Sequence, residues 1–262
     1  MKLDIFQVDA FTNSKFKGNP AAVVILKDPL DTKMMQQIAM ENNLSETAFV
    51  DVSSKPYLIR WFTPTVEVDL CGHATLASAR VIFEYFEEQN SQKLEFICHD
   101  HGKLVATKEQ DIIYLDFPAD EPKLIEDITP LSKILDIAIK EAYTGLTKHM
   151  VIVDDENAIK TFIPDFNKIS ELDSMGLIVT STGKNCDFVS RCFFPKSGVD
   201  EDPVTGSAHT LMTPFWAQRL NKQHLIARQI SNRGGEIQCE LLGNRVMLGG
   251  HSFIYLKGKV FL

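Results

Sequence analysis

The pentapeptide Arg60-Trp61-Phe62-Thr63-Pro64 returns as Arg191-Cys192-Phe193-Phe194-Pro195, so the pattern Arg-x-Phe-x-Pro occurs twice, 131 residues apart (191 minus 60). Each copy continues through a short acidic stretch, Glu67 to Asp69 and Asp200 to Asp202, into a small-residue turn. The turns are Cys71-Gly72-His73-Ala74 and Thr205-Gly206-Ser207-Ala208, and their offset is 134 (206 minus 72), a slip of three residues. An apolar, helix-like segment follows each turn. Self-similarity of this kind marks a duplicated architecture. It predicts two lobes of roughly 110 to 130 residues in place of one large domain.

The turns carry the functional weight. A strand that enters a helix through a glycine turn leaves backbone N–H groups unpaired and adds the positive end of the helix dipole, which makes an anion site. Two such helix starts suit a small acid, such as an amino or hydroxy carboxylate. The competing reading is that glycine before a helix serves packing alone.

Working outward, alternation at Leu3, Ile5, Gln7 and Val8 predicts a strand, and Ala21 to Leu26 its buried neighbour after a polar Gly-Asn-Pro turn. Asp31 caps a helix through about Met40. Strands are expected near Glu46 to Val52 and Tyr57 to Phe62, then a helix from His73 through Phe86, apolar on most of its circumference and therefore surrounded. Three antiparallel strands, Leu94 to Ile97, Lys103 to Thr107 and Ile112 to Phe117, end the first lobe at Pro118. From Asp120 to about Asp173 the chain reads as linker and helices, including Leu131 to Ala138, with a short strand near Met150 to Val153. Strands return at Leu177 to Thr180 and Asp187 to Phe194. A second wrapped helix covers Ser207 to Leu220, kinked by Pro214, and four short strands finish the chain. The expectation is an α+β protein in which each lobe is a set of strands around one apolar helix. The boundaries are 1–117 and 118–252, with the last segment 253–262 able to return to the first lobe. No glycine-rich dinucleotide fingerprint or Walker loop is present in the sequence.

The net charge of -8 argues against nucleic acid or an anionic membrane as a partner. No run approaches the ~18 continuous apolar residues of a membrane span, and Met1 to Phe6 shows no signal-peptide core. Five cysteines at irregular spacing fit reduced thiols in a cytoplasmic protein.

Several residues are candidates for chemistry. Glu46, in Asn43-Leu44-Ser45-Glu46-Thr47-Ala48-Phe49, sits on or just before a strand of small and apolar residues. There it either faces solvent or is partly desolvated, which raises its pKa toward the range useful for proton transfer. His73 can donate to an anion, shuttle a proton, or cap its own helix. Asp202 and Ser207 flank the second turn, where the acid can orient His73, relay protons, or merely complement the helix dipole. Cys71 precedes the first turn, where a helix start favours its thiolate. A two-thiol racemase needs a second cysteine at the equivalent turn, and none is there. Cys98-His99-Asp100-His101 looks metal-like, but alternation along a hairpin would split its side chains between faces, so no metal site is expected.

Together Gly18-Asn19-Pro20-Ala21-Ala22-Val23-Val24, Ser45-Glu46-Thr47-Ala48-Phe49, Leu70-Cys71-Gly72-His73-Ala74-Thr75 and Asp200 to His209 resemble the PhzF-like family, the phenazine-biosynthesis isomerases that share the diaminopimelate epimerase fold. Gln229 to Gly235 resembles one branch of it, so the likeness covers nearly the whole chain. The resemblance implies pseudo-symmetric lobes, each a mostly antiparallel sheet curled around a central helix, and a homodimer. It also implies cofactor-free isomerisation in which a glutamate, matched by Glu46, moves a proton between carbons of a cyclic hydroxy amino acid. The family's other site residues map onto Gly72, His73, Asp202, Gly206 and Ser207, and Thr205 joins them as a substrate-binding candidate. The missing second thiol departs from the epimerase branch and favours a single carboxylate returning the proton to another carbon. A non-catalytic carboxylate-binding protein, or a racemase using Cys71, are the alternatives.

Overall fold

Strand β1 (Lys2–Ala10) lies antiparallel both to β2 (Asn19–Leu26) and to the C-terminal strand Ser252–Phe261, so the two ends of the chain meet within one sheet. The computed structural model describes residues 1–88, 90–99 and 102–262. It resolves into two units: unit 1, Met1–Asp116 with Gly249–Leu262, and unit 2, Phe117–Leu248.

In unit 1, helix α1 (Thr32–Asn42) starts where the Asp31 side chain accepts the Lys33 N–H and stops at Asn43 in the left-handed region. Its apolar face, Met35, Ile38 and Ala39, packs on Leu3, Val24, Leu26, Phe49 and Phe62. Strand β3 (Glu46–Asp51) runs parallel to β2, and β4 (Tyr57–Phe62) antiparallel to β3. A two-residue strand, β5 (Glu67–Val68), turns back against β4 and leads into α2 (Gly72–Tyr85). Strand β6 (Lys93–Cys98) then lies parallel to β4, and β7 (Gly102–Glu109) and β8 (Ile112–Pro118) continue as an antiparallel meander.

Helix α2 is the axis of the unit. His73 to Ala79 and Val81 to Phe83 are all buried, and the helix touches β1, β2, β3 and the C-terminal strand. Ala74, Ala77, Ser78 and Ala79 keep its girth small enough for strands to approach on several sides. The hydroxyls enclosed with it cannot reach water, so Thr75 donates to the Cys71 carbonyl at 2.6 Å and Ser78 to that of Ala74 at 2.7 Å.

Unit 2 repeats the strand order and pairing senses of unit 1, with additional short helices. Its opening strands are β9 (Lys123–Leu124) and, beyond α3 (Thr129–Ile134), β10 (Glu141–Thr144), which pairs with β9 and with β11 (Lys148–Ile152). Helices α4 (Glu156–Thr161) and α5 (Phe166–Ser170) follow, each capped by an aspartate. Strand β12 (Gly176–Thr182) is parallel to β11, β13 (Phe188–Phe194) antiparallel to β12, and β14 (Val199–Asp202) antiparallel to β13. Then come α6 (Gly206–Leu220), β15 (His224–Gln229) parallel to β13, β16 (Gly235–Leu242) and β17 (Arg245–Gly250). The segment expected to be linker and helices thus holds two further strands, β9 and β10. They are short and their side chains are mostly exposed or half-buried, so no apolar alternation announces them. The helix expected through Ala138 stops at Ile134.

The repeated pentapeptide has the same role in both units. Arg60 forks onto Glu67, Nε to Oε1 and Nη2 to Oε2 both at 2.7 Å, with its guanidinium 5.2 Å over the Phe62 ring. Arg191 forks onto Glu201 at 2.7 and 2.9 Å and lies 5.1 Å over Phe193. The glutamate follows its arginine by 7 residues in the first copy and 10 in the second. The three-residue slip is the extra 3-10 turn Pro195–Ser197.

Pro214 does sit inside α6, and the helix runs through it. The Thr210 carbonyl, which a residue at 214 would normally satisfy, accepts the Asp120 N–H at 3.1 Å instead.

Candidate active site

Strands β2 and β3 are parallel with Ala21 opposite Glu46, so their N-terminal ends open at the same edge. Asn19 and Ser45 lie at that edge, and the first turn of α2 rises beside them. The result is a cluster in unit 1 centred on His73. Its Nε2 is 3.2 Å from Glu46 Oε2, although the angles fall short of a hydrogen bond. On the other edge of the ring, Nδ1 is 3.3 Å from Asn19 Nδ2 and 3.4 Å from Cys71 Sγ. Ser45 Oγ donates to Asn19 Oδ1 at 3.3 Å. Cys71 is the N-cap of α2 in extended conformation and makes no side-chain cap bond, so its thiol is turned toward the imidazole.

The imidazole is buried, with 6% of its side chain exposed, whereas Glu46 keeps 19%. Burial pushes the His73 pKa down to about 3. A carboxylate at 3.2 Å favours the charged ring, but the loss of hydration outweighs it. His73 is therefore neutral at pH 7. Glu46 is the group of the cluster that retains a path to solvent and to a ligand.

Glu46, Cys71 and His73 place ligand-type atoms within 4.8 Å of one another. The thiol lies nearest Nδ1 at 3.4 Å and the carboxylate nearest Nε2 at 3.2 Å, a grouping whose donor atoms are close enough to share a proton path or an ion. Of the Cys98 to His101 run, Asp100 and His101 lie outside the described residues, and the Cys98 thiol points to the Gly102 carbonyl at 3.5 Å.

In unit 2 the corresponding turn is built around Gln229, a fully buried side chain. Its Oε1 accepts the Thr205 N–H at 2.9 Å, and its Nε2 donates to the Asp202 carbonyl at 2.6 Å and to Thr205 Oγ1 at 3.2 Å. Thr205, the N-cap of α6, donates its hydroxyl to Asp202 Oδ2. Ser231 Oγ donates to the Pro203 carbonyl at 2.7 Å and accepts the Gly234 N–H at 3.0 Å. The hydroxyl and amide of Thr205 are thus both engaged within the unit. Gly206 is buried and Ser207 exposed in the first turn of α6, where helix-start N–H groups point outward.

The two units differ where it matters for chemistry. Phe49 faces Arg60 and Val179 faces Arg191 in equivalent registers, which aligns Glu46 with Gly176. A Cβ on Gly176 would come within 2.3 Å of the Phe194 ring, so unit 2 has no room for a carboxylate there. Thr205 takes the N-cap position of Cys71. The remaining candidate thiol, Cys192, is fully buried against Gln229 Oε1 at 3.5 Å, and burial pushes its pKa up, away from thiolate chemistry.

The structure accordingly brings Glu46, Gly72, His73 and Cys71 together in unit 1, and Asp202, Thr205, Gly206 and Ser207 together in unit 2. Sequence reasoning overlooked Asn19 and Gln229 as parts of these clusters. The Gly-Asn-Pro run reads as an ordinary turn. For Gln229 a signal existed: Leu225, Ala227 and Gln229 share the inward face of β15.

Residues 8–258 match the PhzC-PhzF family model, described as phenazine biosynthesis-like protein. A Pseudomonas aeruginosa protein named as an uncharacterized isomerase is 47% identical over 262 residues, all of both chains. The crystal structure of a PhzF-family phenazine biosynthesis protein from Enterococcus faecalis superposes with a TM-score of 0.96 at 45% identity, again over 100% of each chain. A predicted epimerase from Pseudomonas aeruginosa shares the fold at 17% identity, with a TM-score of 0.82 over 99% of both chains. With a family model spanning nearly its whole length and relatives matched end to end, the chain belongs to the PhzC-PhzF family of phenazine biosynthesis-like proteins.

Proposed function

We propose that this chain is an isomerase that moves a proton between two carbons of a small amino or hydroxy carboxylate, cyclic or open, with Glu46 as the general acid/base. The observation that carries the reading is the Glu46 carboxyl group, 19% exposed, held 3.2 Å from a buried, neutral His73. Glu46 takes a proton from a carbon activated by a neighbouring carboxylate or double bond. The electron pair left behind shifts through that system, and the same acid returns the proton to a second carbon. Substrate and product have the same atoms, and Glu46 ends as it began, so the step needs no redox partner.

Each unit offers helix-start groups for a carboxylate: the Gly72 amide at α2 in unit 1, and Gly206 and Ser207 at α6 in unit 2, where Thr205 holds the turn through Gln229 and Asp202, the second acid. Relatives named as isomerases support the reaction class. A racemase of the two-thiol kind is disfavoured, because the position equivalent to Cys71 is Thr205 and Cys192 is a buried thiol.

The test is solvent deuterium incorporation. The protein is incubated in heavy water with a panel of small amino, hydroxy and dienoic acids, and loss of C–H signal is followed by proton NMR. Glu46→Gln should lower exchange by about 10²- to 10⁴-fold, the usual contribution of a general acid/base, with binding retained. Undiminished exchange in that variant would remove Glu46 from the mechanism. Loss of exchange in Cys71→Ser with Glu46 intact would move the chemistry to the thiol.

A further inference from the structure

We propose that Asn19 is a positioning residue that holds His73 as its Nε2–H tautomer, so that the single ring proton sits on the nitrogen nearer Glu46. The inference deepens the isomerase reading and rests on it for its catalytic meaning, but the geometry stands alone.

A neutral imidazole carries one proton, and its two edges here make opposite demands. The edge facing Glu46 presents a carboxylate oxygen at 3.2 Å from Nε2. With Glu46 ionised, the state in which it can take a proton, a bare nitrogen there would set two acceptors against each other. The edge at Nδ1 meets an obligatory donor. Asn19 Nδ2, which can only donate, lies at 3.3 Å, and the Cys71 sulfur, a weak donor and weak acceptor, at 3.4 Å. The donor at Nδ1 calls for a bare nitrogen there, which leaves the one ring proton on Nε2, the side of the carboxyl group.

Asn19 is fully buried, and its amide is set by Ser45, whose hydroxyl donates to Oδ1 at 3.3 Å. With the carbonyl end taken by Ser45, the NH2 end is the one presented to His73. The chain Ser45, Asn19, His73, Glu46 thus transmits a choice of tautomer from the edge of β2 and β3 to the carboxylate. Asn19 performs this without charge. An aspartate of nearly the same shape would invert the demand at Nδ1, attracting the ring proton away from Glu46 or adding a second one.

The experiment is nitrogen NMR of protein carrying ¹⁵N-labelled histidine, with the His73 signals identified by their absence in His73→Gln. It needs neither ligand nor turnover. In the unsubstituted protein at pH 7, the expected pattern is a proton-bearing Nε2 and a bare Nδ1. In Asn19→Asp the proton should move to Nδ1, or the ring should become imidazolium, while Asn19→Ser, which cannot span the same distance, should give a mixture of tautomers. A proton on Nδ1 in the unsubstituted protein overturns the proposal, as does an unchanged Nε2–H signal in both variants. If Glu46→Gln keeps full deuterium exchange while the tautomer pattern is as expected, the isomerase reading fails and the positioning of His73 stands.

Discussion

Two imidazoles in this chain are placed where a proton is costly, and the sign of their response to acid follows from that. Burial brings His73 down to about 3 and His209 to about 4, the latter partly opposed by the bond from its Nδ1 to the Thr205 carbonyl at 2.7 Å. An unfolded histidine titrates near 6.5. Between that value and the folded pKa, the unfolded chain binds a proton that the folded chain does not, so stability falls as pH falls from about 6.5 toward 3 to 4. The slope is at most about 1.4 kcal/mol per pH unit for each ring. His209→Gln should remove one such increment between pH 6 and 4.5, measured as urea midpoints across pH, and parallel profiles for the two proteins would show that His209 protonates normally when folded. At this scale the sequence is legible where chemistry and context disagree. Glu46 stands out as an acid in a run of small and apolar residues, and His73 as a base beside a glycine turn. Asn19 does not stand out, because a polar residue next to a turn is ordinary until the fold buries it, and Gln229 is marked only by sharing its strand face with Leu225 and Ala227.

Between elements, the forked arginines test how much a repeated motif stabilises. Arg191 is the more enclosed, with 13% of its side chain exposed against 33% for Arg60, and it also donates to the Phe162 carbonyl at 2.8 Å. Arg191→Ala should therefore cost about 3 to 5 kcal/mol by stranding Glu201, and Arg60→Ala about 1 kcal/mol or less. Urea unfolding of the two variants decides the ranking, and equal losses would mean that the fork and not its burial sets the energy. Gly176→Ala should cost about 1 to 3 kcal/mol through overpacking against Phe194. In a Phe194→Ala background the same change should cost less, a coupling that a double-mutant cycle reads directly. These contacts also show why some elements could be read ahead and others not. The wrapped helices are recognisable from their apolar circumference, and the internal repeat from its arginines. Strands β9 and β10 are two and four residues long and mostly exposed or half-buried, too short to show a period. Nor does any pattern reveal that the backbone N–H of Asp120, far off in sequence, fills the gap left by Pro214.

Across the whole molecule, one wiring diagram is used twice and given different contents. Unit 1 carries the acid and the imidazole. Unit 2 has a glycine at the matching strand position and spends its polar residues on rigidifying the start of α6. The duplication is visible in the sequence because both copies need the same arginine fork to hold β5 and β14 in place. The divergence of the sites is not, because the equivalence of Glu46 with Gly176 appears only when strand registers are known. Among the described residues no helix is long and apolar enough to cross a membrane.

The pairing of β1 with Ser252–Phe261 sets an order of assembly during synthesis. Unit 2 is continuous in sequence and has every one of its residues once Leu248 has been made. Unit 1 begins emerging first but is finished last, because Gly249–Leu262 belongs to it. Until those residues leave the ribosome, β1 presents an open strand edge in a cell full of other nascent chains. The unit with Glu46 and His73 therefore depends on residues translated after the whole of unit 2, and a ribosome stalled short of them leaves a folded unit 2 tethered to an unfinished sheet.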